Sequence, residues 1–230
     1  MSKKENSIIE KYKIKVQSNL HSICVCSLMT SLHIVFPIVR ILNHLGSVHL
    51  ITEDKATLAL NSICSSNFVI DNVTISVVEG LAMLDVDDFR DKEFDFIILV
   101  INEFVPNIVG LNIDQYILLD KIEYYKLQFD SVELKNKLIF SSIEINKIPI
   151  KDRVQVKANR FINEELVVAP SFTKFQDYLY KLMETYDYNV RVPPIIVRYL
   201  QKIFENLLGF KKNEIQTLLR LEFQSYDNID

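Results

Sequence analysis

Between Ser22 and Asp54 the chain runs strand, turn, helix and strand, and this order constrains the fold more than any other stretch. Ser22-Ile-Cys-Val-Cys-Ser27 reads as a buried strand and Leu28-Met-Thr-Ser-Leu-His33 as a short polar turn. Ile34 to Leu45 reads as an apolar helix stopped by Gly46, and Ser47-Val-His-Leu-Ile-Thr52 as a second strand running into Glu53 and Asp54. Two buried strands joined by a helix pair in parallel through a right-handed crossover. The fold expected is α/β, a mostly parallel Rossmann- or P-loop-like sheet flanked by helices. In such a sheet the turn after the first strand is the phosphate-binding position, yet here it has neither glycine nor lysine.

The rest of the chain continues the alternation. Lys55 to Ser65 has helical apolar spacing at Leu58, Leu60 and Ile63, and Asn72 to Val78 alternates Val73, Ile75 and Val77 as a short strand does. Leu81 to Phe89 reads as a helix or turn. Phe94-Asp-Phe-Ile-Ile-Leu-Val-Ile101 is a continuous apolar run, the mark of a strand covered on both faces. Asp114 to Leu119 fits helix or strand, Lys137 to Asn146 a strand, Arg153 to Asn163 a helix, and Glu165 to Ala169 a last short strand before Pro170.

Three helices close the chain. Thr173-Lys-Phe-Gln176 has the form of a capping box, followed by a face of Phe175, Tyr178, Leu179, Leu182, Met183 and Tyr186. Arg191-Val-Pro-Pro194 is a stiff break before a helix with Ile195, Ile196, Tyr199, Leu200, Ile203 and Leu207 on one face, stopped by Gly209. Asn213 to Phe223 forms a shorter helix with Ile215, Leu218 and Leu219. The expected division is a polar lead-in over 1–20, an α/β domain over 21–190 and a C-terminal helical extension over 191–230, packed on that domain or projecting from it.

Composition narrows the setting. With 49% apolar residues in 230, a sizeable core is available. A net charge of −4 argues against a broad phosphate-neutralising surface, though not against a local basic patch. Three cysteines, two of them in one strand, fit a reducing compartment better than a disulfide framework. Met1 to Ser7 carries no apolar leader segment, and Pro37, Arg40 and Asn102 cut the longest apolar stretches short of the roughly 18 residues a membrane span needs. A cytoplasmic protein without a transmembrane segment is expected.

Glycine carries the strongest exclusion. The four glycines, Gly46, Gly80, Gly110 and Gly209, are isolated. Phosphate loops, dinucleotide fingerprints and nucleophile elbows all need several within a few residues, because backbone N–H groups must approach closely. In the turn, Thr30 and Ser31 near Ser27 offer hydroxyls at a helix N-terminus, and a plain N-cap explains them as well. Cys24 and Cys26 share a strand face near His21, but a closed zinc site needs four ligands. The acidic run Asp85 to Asp91 has Arg90 where a calcium loop needs glycine and Phe96 where it needs its last glutamate. Glu53 and Asp54 stand where α/β folds place ligand-facing acids. Arg191, Arg198, Lys202, Lys211, Lys212 and Arg220 gather in the last helices, as a solvated face or as a contact surface for protein or nucleic acid.

Three segments make the chain similar to the ParA/MinD family of P-loop ATPases, above all to its degenerate localisation-factor branch of CpaE/TadZ-like proteins. Ile23 to Asp54 keeps the family's spacing of strand, loop, helix and acid-ended strand, with Thr30-Ser31 about where the loop lysine and hydroxyl belong. Phe94-Asp-Phe-Ile-Ile-Leu-Val100 matches the central strand until its last position, where Val100 replaces a metal-associated aspartate. Ile143-Glu-Ile-Asn146-Lys147 and Val167-Val-Ala-Pro170 follow in the family's order.

The resemblance, with its phosphate loop and acid both missing, implies a pseudo-ATPase. Phosphoryl transfer works by positioning and charge stabilisation, so losing both parts abolishes it. No catalytic residue, metal or cofactor is then expected. The implied role is a scaffold or positioning factor working through protein contacts, a second copy of the chain among them. Two other readings stand beside it: a small-molecule-binding enzyme on a Rossmann-like sheet with a site near Ser27, Thr30, Glu53 and Asn102, and a partition-type protein holding DNA on its basic C-terminal helices.

Overall fold

The computed structural model describes residues 3–17, 21–27, 31–55, 57, 66–79, 94–101, 113–119, 137–142, 164–168, 172–185, 190–208 and 211–223. The expectations for 58–65, 81–93, 143–150 and 153–163, with Asn102, Thr30 and the acidic run, lie outside these residues. Eight strands form the sheet: β1 (Ser22–Cys26), β2 (Val48–Thr52), β3 (Asn67–Ile70), β4 (Val73–Val77), β5 (Phe96–Ile101), β6 (Gln115–Leu118), β7 (Lys137–Ser142) and β8 (Glu164–Val168). Their order is β3-β4-β2-β5-β1-β6-β7-β8. Every neighbouring pair is parallel except β3 and β4. The sheet is the mostly parallel α/β one, and the segment 114–119 that fitted either class supplies the strand β6.

The antiparallel edge strand β3 escaped the periodicity analysis. Asp71 and Asn72 both have positive φ, 47° and 68°, which is what a two-residue hairpin loop requires. The Asp-Asn pair before an alternating run was therefore the available signal.

Among the described residues the helices are α1 (Lys3–Gln17), α2 (Leu32–Asn43), α3 (Phe172–Thr185), α4 (Pro194–Leu208) and α5 (Lys212–Phe223). Helix α1 replaces the polar lead-in read from the sequence, because Tyr12 and Val16, four apart, are buried in the core while Ile14 stays exposed. Helix α2 is buried along both sides, Pro37 included, as an interior helix is. It packs against α3, α4 and α5, and these join one sheet face in a single apolar cluster. The C-terminal helices thus pack on α2, and α4 also meets β8. Two details differ from expectation. Helix α3 begins at Phe172, so Thr173 lies inside it, and Gln176 Nε2 donates forward to Tyr180 Oη at 3.2 Å rather than back to a cap. On α4, Ile195 is exposed, while Ile196, Tyr199, Leu200, Ile203 and Leu207 are buried.

Aspartates pin the amino ends of the central strands. Asp114 Oδ2 accepts from the N–H groups of His21 and Ser22, both at 2.8 Å, and from Ser22 Oγ at 3.1 Å. Asp95, the acid of the Phe-Asp-Phe stretch, accepts from Ser47 N and Oγ at 2.7 and 3.0 Å. Gly46 must be glycine for that reason: a Cβ there would meet Asp95 Oδ2 at 2.5 Å.

One charged cluster spans the helical layer. Arg40, 3% exposed on α2, donates through Nε to Glu222 Oε1 on α5 at 2.5 Å and through Nη1 to the Val190 carbonyl at 3.1 Å. Its guanidinium lies over the Phe223 ring, 5.2 Å from the centroid, and His44 Nε2 meets Glu222 Oε2.

Two stability outcomes are expected in urea titrations. Glu222→Ala leaves a buried guanidinium uncompensated and lowers the unfolding free energy by about 3–5 kcal/mol, most of it recovered when Arg40→Met and Glu222→Leu are made together. Gly46→Ala costs about 1–3 kcal/mol, since Asp95 is held by Ser47 and cannot swing aside.

Candidate functional site

Strands β5, β1 and β6 lie side by side, with chain order diverging on either side of β1. Such a divergence opens a crevice at the carboxyl ends of the strands. Here the parallel ladders run on to the last described residues of these ends. Ser27 donates its N–H to the Ile101 carbonyl at 3.0 Å, and Leu119 donates to the Cys26 carbonyl at 3.1 Å. Glu53 N–H reaches the Val100 carbonyl at 3.3 Å. Ser27 is buried, and Glu53 and Asp54 are half-buried in the turn after β2, where Asp54 N–H bonds Thr52 Oγ1 at 3.0 Å. Lys55 Nζ holds Glu79 Oε1 at 2.6 Å beside them, and that bond draws the Glu79 pKa down.

Ser31 precedes α2, where its carbonyl accepts from the N–H groups of Ile34 and Val35 at 2.8 and 2.9 Å. The residue is 1% exposed, and its hydroxyl makes no cap bond and has no partner among the described residues. The cap is therefore a backbone one. Thr30 beside it is outside the described residues. Val100 is 1% exposed, in register with Val25 of β1 and Thr52 of β2, and belongs to the apolar cluster. On the opposite face Cys24 and Cys26 are buried with their sulfurs 3.8 Å apart. Burial pushes the nearby Tyr116 phenol up, with the two thiols adding to the shift. Among the described residues no three His, Cys, Asp or Glu side chains form a group that would hold a metal ion.

The structure divides the basic residues of the last helices. Helix α4 presents Pro194, Val197, Arg198 and Gln201, and α5 presents Gln216, Leu219, Arg220 and Phe223, each at spacing i, i+3, i+4, i+7. With Arg191 and Val192 these enclose an open cleft of about 320 Å³. Lys202, Lys211 and Lys212 are exposed and lie outside that lining. The charges were legible in the sequence, whereas the glutamines and the apolar floor were not singled out there. Their helical spacing was the signal that would have found them.

No family model matches the chain, and no curated protein matches it. Among solved structures it is similar to the MinD cell division protein of Aquifex aeolicus, at 14% identity over 87% of this chain and 96% of that one, with a TM-score of 0.49. The fold class stands on the strand order and register of this chain's own sheet.

His33, in the first turn of α2, is the strongly shifted group at this edge. Burial pushes its pKa down to about 4 from an ordinary value of 6.5, and the positive end of a helix also opposes a charged ring. The unfolded chain then binds the extra proton first, so stability is complete above about pH 6.5 and falls as pH drops toward 4. The size of the shift sets a ceiling of roughly 3 kcal/mol on this loss. Urea midpoints measured between pH 7 and 4 should show this slope, and His33→Gln should flatten it.

Proposed function

We propose that this chain is a non-catalytic, ParA/MinD-like α/β protein acting as a scaffold or positioning factor through protein contacts, with a second copy of itself among its partners. The observation that carries the reading is Val100. It stands near the end of the central strand β5, where the resemblance calls for an acid, and its side chain is packed into the apolar cluster. An apolar group in that place gives a magnesium ion nothing to bind, and without the ion the developing phosphoryl charge loses its main counter-charge. The lack of clustered glycines supports the same reading.

A cytoplasmic setting goes with it, on the strength of Cys24 and Cys26 as free thiols. Among the described residues no helix is long and apolar enough to cross a membrane. The DNA-partition reading keeps one supporting observation, the exposure of Lys211 and Lys212 at the start of α5.

Thermal unfolding with excess Mg-ATP, Mg-ADP and Mg-GTP tests the proposal. A ligand at about 100 times its dissociation constant would add roughly 2.7 kcal/mol and raise the midpoint by about 5–10 °C. The expected result is no shift with any of the three, together with a dimer or larger species in light scattering. A shift would mean that the turn binds phosphate without glycines, and a strict monomer would count against the scaffold.

A further inference from the structure

The cleft between α4 and α5 has a construction that the nucleotide question leaves untouched. Arg191, Arg198 and Arg220 stand around it, all exposed, and no carboxylate belongs to its lining among the described residues. In a chain of net charge −4, Arg198 and Arg220, with no carboxylate between them in the described lining, are a local reversal of sign. The floor is apolar: Val192 and Leu219 are each 4% exposed and Phe223 8%. Gln216 adds an amide to the lining, and Gln201 Nε2 donates to Glu205 Oε1 on its own helix at 2.6 Å.

Resting on the protein-contact reading above, we propose that this cleft docks an acidic peptide segment of a partner protein, with one apolar side chain on the floor and flanking carboxylates on Arg198 and Arg220. Guanidinium groups present paired donors that match carboxylate oxygens two at a time. A volume of about 320 Å³ suits an anchor residue and its immediate neighbours. The floor is set before any partner arrives, because Arg40 lies over Phe223 and holds the adjacent Glu222. Preorganisation of this kind removes much of the ordering cost of binding.

Nucleic acid fits the same cleft less well. Single strands need a basic track along the backbone and open aromatic faces on which bases stack. Among the described residues the one aromatic in the lining is Phe223, nearly buried and already faced by Arg40. The exposed Lys202, Lys211 and Lys212 lie outside the lining and do not extend it into a track.

The test uses fluorescence polarisation at physiological salt on the full chain. The probe is a labelled twelve-residue peptide of glutamate and aspartate with one leucine and one phenylalanine. One control replaces its two apolar residues by glycine, another its acids by lysine, and a dT20 oligonucleotide serves as competitor. Saturable binding of the acidic, apolar peptide is expected. Arg198→Glu with Arg220→Glu should weaken it at least about tenfold, the size expected for losing charge-assisted hydrogen bonds. Lys211→Glu with Lys212→Glu should change it less than about threefold. The glycine control should bind about tenfold more weakly, and the lysine control not at all.

Both arginines are exposed, so unchanged thermal unfolding is expected for the double variant, and the milder Arg198→Gln provides a second reading if it is not. The proposal is overturned by absence of binding, by equal binding to the arginine variants, by equal binding of the glycine control, or by dT20 binding that depends on the same arginines and displaces the peptide. A nucleotide-induced rise in midpoint would sink the pseudo-ATPase reading while leaving this titration intact, so the two failures are distinguishable.

Discussion

Arg40 is the charge around which the helical layer is arranged. It sits on a helix whose other neighbours are almost entirely apolar, and a guanidinium there is tolerable only if every direction around it is answered. Glu222 supplies the opposing charge from 182 residues away, the Val190 carbonyl takes another N–H, and Phe223 covers a face. One buried cation thereby dictates where the last helix ends, how the segment before the Pro-Pro break lies, and which face α5 turns outward. A purely apolar contact would have been as stable or more so. The charge pair adds registry, because few other arrangements of these helices satisfy it.

The sheet is governed by a complementary rule. Its amino edge is pinned by Asp95 and Asp114, each closing a loop onto a serine at the start of a neighbouring strand. Its carboxyl edge, where open α/β sheets ordinarily meet their ligands, is held by backbone bonds, and Val100 there packs into apolar surroundings. Among the described residues, Asp95 and Asp114 thus place their hydrogen bonds at the edge opposite the usual crevice, and Arg40 and Glu222 form an ion pair in the helical layer.

Much of this was legible in the chain. The run Phe96 to Ile101 is buried at every position, and such uniformity is a property of sequence that no packing detail can disguise. The spacing of Tyr178 and Leu182, and of Ile196, Tyr199, Leu200 and Ile203, likewise showed the inward faces of helices. Other features were not readable in the same way. Helix α1 is mostly polar, and only Tyr12 and Val16 meeting the core make it part of the fold. Strand β3 alternates exposed and half-buried residues at a sheet edge, so its pattern is weak and its hairpin turn carries the information. Ile195 looked as inward as Ile196, and only the approach direction of α4 separated them.

The sequence by itself determined the class of fold, the burial of the central strands and the absence of a glycine-rich phosphate loop, because these follow from local composition and from periods of two and 3.6 residues. Tertiary structure alone decided that Arg40 meets Glu222, that Gly46 makes room for Asp95, and that Arg198 and Arg220 share a cleft while Lys211 and Lys212 do not. Each of those pairings joins residues distant in the chain or on different helices. Their encounter depends on how whole elements pack, and no local pattern encodes a distance between two helices.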